Sequence, residues 1–83
     1  MSMIFFTFRA QTGARKGAMI LSKAGIQGTV GRTPSFLATG GCGYGIRVAA
    51  RDGWRAAAEL RAGGYPFERS FLLESGRGRE VAL

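Results

Sequence analysis

The sequence predicts an α+β domain, a ferredoxin-like βαββαβ sandwich with two helices on one face of a four-stranded antiparallel sheet. Three observations support this. The chain has 83 residues, which leaves room for one compact domain. Its apolar pattern alternates between strand and helix periods in the order strand, helix, strand, strand, helix, strand. A weak repeat relates two βαβ halves, since Leu21 and Gly25 recur as Leu60 and Gly64.

The first half of the chain predicts a strand, a helix and a short strand. Residues 3–8 are mostly aromatic or β-branched, which is typical of a strand buried on both faces. Thr12 is suited to cap the helix that follows, and Gly25 is expected to end that helix. A second strand is expected over residues 27–32. Pro34 closes it because proline lacks the amide donor that a sheet requires.

The second half predicts a strand, a helix and a final strand. Apolar residues alternate with small or polar ones over residues 44–48, which is the period of a half-buried strand. Asp52 is suited to cap the second helix, and Gly63-Gly64 is expected to end it. A fourth strand is expected over residues 66–74. The first and third strands should be central. The domain would then span residues 3–74, with residues 75–83 as a flexible C-terminal tail.

The positive charge is concentrated in one part of the chain. Twelve basic and five acidic residues give a net charge of +7. Residues 1–51 contain seven of the basic residues and no acidic residue, whereas residues 52–83 are neutral overall. Such an excess favours association with an acidic protein or a nucleic acid. In the predicted fold, the outer face of the first helix is the candidate docking surface, through Arg15, Lys16 and Lys23.

The composition argues against several functional classes. No stretch approaches the roughly 18 apolar residues of a membrane-spanning helix, so no membrane association is expected. A single cysteine cannot form an internal disulfide, which favours the reducing cytoplasm. The chain has no histidine, so an imidazole base and a histidine-ligated metal site are ruled out. We therefore expect no enzymatic activity, no metal and no cofactor.

Cys42 is the candidate reactive group. It lies in a loop between strands two and three and is flanked by Gly41 and Gly43, which leave the thiol open to approach. A thiolate here could attack sulfur electrophiles, carry a persulfide or bind a soft metal. Arg32 and Arg47 flank the loop and are candidates to stabilise the anion. The alternative is a small, partly buried residue in a turn.

The predicted fold also gives an expectation for the surroundings of Cys42. The start of the third strand is expected near the C-terminal end of the first helix, whose negative dipole would disfavour a thiolate. This arrangement would place Lys23 near the cysteine. It would place Arg9 and Arg51 at the opposite end of the sheet.

Other ligand classes have weaker signals. The glycines around Cys42 lack the spacing of a phosphate loop and lead into a strand rather than a helix. RNA binding is the main alternative, because four aromatic side chains could stack bases on an open sheet face: Phe6, Phe8, Tyr44 and Phe71. The third strand does not match the RNA-recognition octapeptide, however. A structural or regulatory subunit that docks on an acidic partner is the third hypothesis.

The cysteine loop and its neighbouring elements resemble the signature of the selenium/sulfur carrier protein-like family, which consists of small bacterial domains. The resemblance extends from about residue 3 to residue 74. It rests on a strand, a helix end, a turn and two short motifs: Phe5-Phe6, Gly25, Thr33-Pro34, Cys42-Gly43 and Gly45-Ile46-Arg47-Val48. The chain departs from the family pattern at Ser35 and at Thr39-Gly40-Gly41.

This resemblance implies a carrier function. Cys42 would hold sulfur or selenium as a persulfide or selenenyl sulfide. The atom would come from a donor such as a cysteine desulfurase and pass to an acceptor enzyme. A carrier of this kind does not turn over alone, in line with the expectation of no enzymatic activity. A homodimer that forms through the open sheet edges is a further option.

Overall fold

The structure, a computed structural model, describes residues 2–37 and 43–83. Its elements in chain order are β1 (Met3–Phe8), α1 (Gln11–Lys23), β2 (Thr29–Arg32), a 3-10 helix (Ser35–Leu37), β3 (Tyr44–Ala49), a second 3-10 helix (Ala50–Asp52), α2 (Gly53–Ala62), β4 (Arg69–Glu74) and β5 (Arg77–Glu80). The described strands form one antiparallel sheet of order β2-β3-β1-β4-β5. The α+β class is confirmed, and β1 and β3 lie inside the sheet as predicted.

The prediction of four strands is wrong, because a fifth strand extends the sheet. Residues 77–80, assigned from the sequence to a flexible tail over 75–83, form β5 and pair with β4. Ser75 and Gly76 connect the two strands with positive φ values of 48° and 76°. This is the geometry of a two-residue type I′ hairpin turn, which follows the natural twist of paired strands. All four β5 residues are charged or glycine, so no apolar alternation marked the strand.

Both helices end in the same Schellman motif, at the two glycines that the internal repeat relates. Gly25 follows α1 with a φ of 80°, and the next amide donates a hydrogen bond to the Leu21 carbonyl at 2.8 Å. Gly64 follows α2 with a φ of 83°, and the next amide donates to the Leu60 carbonyl at 3.0 Å. Glycine reaches this left-handed conformation without steric cost. The repeated leucine and glycine therefore correspond to the same C-terminal motif in both helices.

The predicted helix starts are less accurate than the ends. α1 begins at Gln11 with Ala10 as its N-cap, so Thr12 lies inside the first turn and does not cap the helix. Asp52 does occupy the N-cap of α2, but its carboxylate makes no capping hydrogen bond. That carboxylate lies 3.7 Å from the Arg55 guanidinium. An ion pair with the first turn has replaced the predicted cap.

The two faces of the sheet have separate hydrophobic clusters. Both helices cover one face, where the buried core consists of Ile4, Phe6, Phe8, Ala14, Leu21, Ile26, Ile46, Val48, Ala56, Ala57 and Leu60. We call the other face the open face. There, Leu37 packs with Phe5 and Phe71. The segment that follows β2, residues 33–37, therefore crosses the open face towards β4 and β5, and we call it the crossing segment.

Candidate functional site

The candidate site is the loop that contains the cysteine, and the structure describes its two stems. Cys42 and Gly41 lie outside the described residues. The Thr33 amide donates a hydrogen bond to the Gly43 carbonyl at 3.0 Å, which joins the stems at the base of the loop. Gly43 is exposed, and a side-chain carbon placed there would meet no atom within 4 Å. The residue next to the cysteine is therefore open to solvent.

The amino-terminal end of α1 lies at the same end of the sheet as the cysteine loop. Tyr44, the first residue of β3, pairs with Phe8, the last residue of β1. Because α1 begins at Gln11, directly beyond β1, its start lies at this end as well. The prediction that the C-terminal end of α1 lies there is wrong. A helix that follows β1 and an antiparallel strand that pairs with β1 both begin where β1 ends.

We call this end of the sheet the cysteine end. The predicted positions of two basic residues relative to it are corrected by the structure. Lys23 is the last residue of α1 and therefore lies at the far end, not near the cysteine. Arg9 directly follows β1 and lies at the cysteine end, where its Nε is 2.8 Å from the Glu68 carboxylate. Both predictions about these residues are wrong. Arg51 follows β3 and lies at the far end, as predicted.

The electrostatic character of the cysteine end is the reverse of the expected one. The first turn of α1 contains no acidic residue, and its N-cap Ala10 offers no side-chain acceptor. The partial positive charge of this helix end is therefore not compensated by its own first turn. An anion near the start of α1 is favoured, whereas a negative helix end was predicted here from the sequence.

Arg32 and Arg47 lie on opposite faces of the sheet. Arg32 pairs with Tyr44 in the β2–β3 register, and its guanidinium lies 5.9 Å from the Tyr44 ring centroid on the helix-covered face. Arg47 pairs with Phe5, and its guanidinium lies 6.0 Å from the Phe5 ring centroid on the open face. The structure does not bring the two arginines together. Of the two, Arg32 lies at the cysteine end.

The predicted docking surface on α1 is divided along the helix. Arg15 and Lys16 are exposed in the first half of α1, towards the cysteine end. The Lys16 ammonium lies 5.8 Å from the centroid of the Tyr65 ring, which follows α2. Lys23 is exposed at the far end of the helix. The predicted docking residues therefore lie towards different ends of the sheet, with Arg15 and Lys16 towards the cysteine end and Lys23 at the far end.

The four aromatic rings considered for base stacking do not form an exposed platform. Phe6 and Phe8 point towards the helices and are buried in the main core. Tyr44 is half-buried and packs against the same core. Phe71 does lie on the open face, but it is buried with Leu37 of the crossing segment. Ring stacking of the kind used by open ferredoxin-like sheets is therefore blocked at these positions.

A groove on the open face was not expected from the sequence. It has a volume of about 450 Å³ and lies between the crossing segment and the β4–β5 turn, lined by Met3, Pro34, Phe36, Arg47, Leu73, Glu74, Ser75, Gly76 and Arg77. Phe36 is 54% exposed, whereas the adjacent Leu37 is only 7% exposed. The apolar pair in an otherwise glycine-rich loop was the available sequence signal. Leu37 anchors the loop and Phe36 forms a wall of the groove.

Gly78 of β5 provides the seat for the crossing segment. A side-chain carbon at Gly78 would overlap the Leu37 side chain and lie 3.3 Å from the Phe36 ring. The absence of a side chain therefore allows the crossing segment to lie directly on β5. The hairpin missed from the sequence thus helps to position one stem of the cysteine loop.

Two searches within residues 2–37 and 43–83 gave negative results. No three histidine, cysteine, aspartate or glutamate side chains come close enough together there to hold a metal ion. In the same part of the chain, no helix is both long enough and apolar enough to cross a membrane.

Comparison with known proteins identifies the family of the chain. No curated protein and no solved structure matches the chain significantly. The family model described as putative Se/S carrier protein-like matches residues 3–71. The matched region begins with β1, contains both helices and the whole cysteine loop, and ends within β4. The chain therefore belongs to the putative Se/S carrier protein-like family.

Proposed function

We propose that this protein carries a sulfur or selenium atom on Cys42 and delivers it to an acceptor enzyme. The family match carries the proposal, because it includes residue 42 and the chain has a single cysteine. A carrier thiol must be reached in turn by a donor and by an acceptor. The exposed and unobstructed position of Gly43, directly beside the cysteine, supports this requirement.

The charges at the cysteine end support an anionic cargo. The start of α1 contributes the positive end of its dipole, and Arg32 contributes a full charge at the edge of the sheet. Thiolates and persulfide anions are stabilised by such surroundings. Arg9 contributes less, since its guanidinium is paired with Glu68. We therefore retain Arg32 as the anion-stabilising residue and assign Arg47 to the groove on the open face.

Loading and delivery follow the chemistry of thiol–disulfide exchange. The Cys42 thiolate attacks the terminal sulfur of a persulfide on the donor, such as a cysteine desulfurase. A new S–S bond forms on Cys42 while the donor S–S bond breaks, and the electron pair leaves with the donor thiolate. Delivery repeats the step, with a thiolate of the acceptor enzyme as the attacking group. The transferred sulfur keeps its oxidation state, so no added oxidant or reductant is required.

The proposal includes the setting in which the carrier works. A reducing cytoplasm keeps a single thiol free between loading and delivery. The protein acts as a carrier and not as an enzyme, because its product forms on the acceptor. We also describe the fold as a ferredoxin-like sandwich extended by β5. The strand order β2-β3-β1-β4 and the two helices on one face support that description.

Mass spectrometry of the intact protein tests the loading step. The chain is incubated with a cysteine desulfurase and cysteine, and its mass is measured without reductant. We expect the wild-type protein to gain one sulfur atom and the Cys42→Ser variant to gain none. Equal gain by both proteins would contradict the proposal, because the sulfur would then be held elsewhere.

A further inference from the structure

The groove on the open face combines apolar walls with two arginines that form no ion pair within the described residues. Phe36 and Pro34 form one wall, while Met3 and Leu73 line the groove beside them. Its volume of about 450 Å³ is within the range of about 300–1,000 Å³ that ligand pockets span. We propose that this groove binds an extended acidic segment of a partner protein, which inserts an apolar side chain against Phe36.

Phe36 is the exposed apolar side chain of the groove. The neighbouring Leu37 satisfies the packing of the crossing segment, since it is buried with Phe5 and Phe71. Phe36 is not needed for that anchor and remains 54% exposed at the edge of a concave surface. Removal of an exposed aromatic ring from water on binding is a strong driving force for association. An apolar side chain of the partner provides the complementary surface.

Arg47 and Arg77 provide the positive charge of the groove. Both line the groove, and neither makes an ion pair within the described part of the chain. Among the described residues, three other arginines pair with carboxylates: Arg9, Arg55 and Arg69. The one carboxylate that lines the groove, Glu74, accepts a hydrogen bond from the Ser2 hydroxyl at 2.7 Å. These two guanidinium groups can therefore bind carboxylates of an incoming segment.

The charge of the whole chain favours an acidic partner over a second copy. Two chains with a net charge of +7 repel each other, whereas an acidic protein is attracted. A nucleic acid would satisfy the arginines as well. A nucleic acid would not account for the apolar wall. Phe36 lies at the side of a groove, and the four rings considered for stacking are buried or half-buried.

This inference does not depend on the reactivity of Cys42. The groove uses the crossing segment, which is one stem of the cysteine loop, and the β4–β5 turn. The β4–β5 turn lies at the end of the sheet opposite the cysteine end, because Leu73 pairs with Met3 at the start of β1. Binding itself requires no thiol. The Cys42→Ser variant is therefore expected to bind the segment as the wild type does, so the two proposals can fail separately.

Fluorescence anisotropy with labelled peptides tests the inference. The probes are a panel of short peptides with two central residues chosen from Leu, Ile, Met and Phe and with Asp or Glu on both sides. Two control panels replace the acidic residues by Lys or the central residues by Gly. Phe36→Ala and Arg77→Glu alter the groove. Their matched controls are Trp54→Ala, another exposed aromatic residue, and Arg51→Glu, another exposed arginine outside the groove.

We expect the acidic apolar peptides to bind, and Phe36→Ala and Arg77→Glu each to weaken binding by about tenfold or more. Trp54→Ala and Arg51→Glu should change it by less than about twofold. Failure of the whole panel to bind the wild type would overturn the inference. Equal losses with the groove and control variants would overturn it too, as would tighter binding of a single-stranded oligonucleotide that resists competition by the peptides.

Discussion

At the scale of single residues, two glycines that pair across β2 and β3 differ in the space around them: one is crowded and the other is open. Gly45 pairs with Gly31, and both face the open side of the sheet. A side-chain carbon at Gly45 would overlap the Phe6 carbonyl oxygen and lie 2.5 Å from the Phe5 ring. A carbon at Gly31 would meet nothing within 4 Å. The Phe5 ring therefore occupies space that only a glycine at position 45 leaves free.

We expect Gly45→Ala to lower the free energy of unfolding by about 2–4 kcal/mol, since the β1 backbone or the Phe5 ring must move. Gly31→Ala should change it by less than about 1 kcal/mol, because its methyl group enters open space. Urea unfolding of the two variants measures the difference. Similar losses in both would show that Phe5 does not lie over Gly45.

The ion pair between Arg69 and Glu80 predicts a pH dependence. Arg69 donates hydrogen bonds to both Glu80 carboxylate oxygens, at 2.8 Å and 3.1 Å. These bonds hold the Glu80 pKa below its ordinary value of 4.5. A lowered pKa in the folded state means that the pair stabilises the fold above that ordinary value. The contribution is lost as the pH falls through the lowered pKa.

We therefore expect Glu80→Gln to lower the melting temperature at about pH 7 and to have a smaller effect at an acidic pH below the lowered Glu80 pKa. The effect is small because both partners are exposed. Glu59→Gln removes the same charge from an exposed residue that forms no ion pair within the described residues. The prediction fails if the difference between Glu80→Gln and the wild type is the same at both pH values.

At the scale of elements, local chemistry explains which predictions succeeded. Gly25 and Gly64 end their helices through left-handed backbone angles that glycine favours, so the sequence was sufficient there. The helix starts depend on competing partners. Asp52 pairs with Arg55 instead of capping α2. β5 has no apolar residue, so no apolar alternation predicted a strand there. The hairpin turn, with its positive φ at Ser75, becomes evident only from the pairing of β5 with β4.

The crossing segment gives a prediction at the same scale. Leu37 is buried between the segment and the sheet, whereas Phe36 is largely exposed. We expect Leu37→Ala to lower the free energy of unfolding by about 2–3 kcal/mol, through lost burial and the cavity left behind. Phe36→Ala should lower it by less than about 1 kcal/mol. Urea unfolding measures both, and a larger loss for Phe36→Ala would contradict the assigned anchor.

At the scale of the whole molecule, topology decides which charges lie near the cysteine loop. The sequence placed the loop correctly between the second and third strands, and it identified Arg32 as its neighbour. It placed Lys23 and Arg9 at the wrong ends of the sheet, because the start of α1 and the start of β3 share one end. The predicted antiparallel topology already implied the correct placement, because a helix that follows β1 and an antiparallel neighbour of β1 both begin where β1 ends.

Five of the twelve basic residues lie at three distinct locations. Arg32 and the start of α1 lie at the cysteine end, Arg15 and Lys16 lie on the outer surface of α1, and the groove contains Arg47 and Arg77. The first location suits an anionic cargo, and the other two suit acidic partners. RNA binding could not use the four rings considered for stacking, because Phe6, Phe8 and Phe71 are buried and Tyr44 is half-buried.

The central claim is that Cys42 both accepts and releases sulfur, and a charge-and-discharge experiment tests it most directly. The protein is loaded with isotopically labelled sulfur by a cysteine desulfurase, freed of donor and mixed with an acceptor protein that has a reactive thiol. Mass spectrometry of peptides then locates the label. The account predicts label on the peptide that contains Cys42 after loading, and its transfer to the acceptor thiol afterwards. Label on another residue, or label on Cys42 that no acceptor thiol can remove, would contradict it.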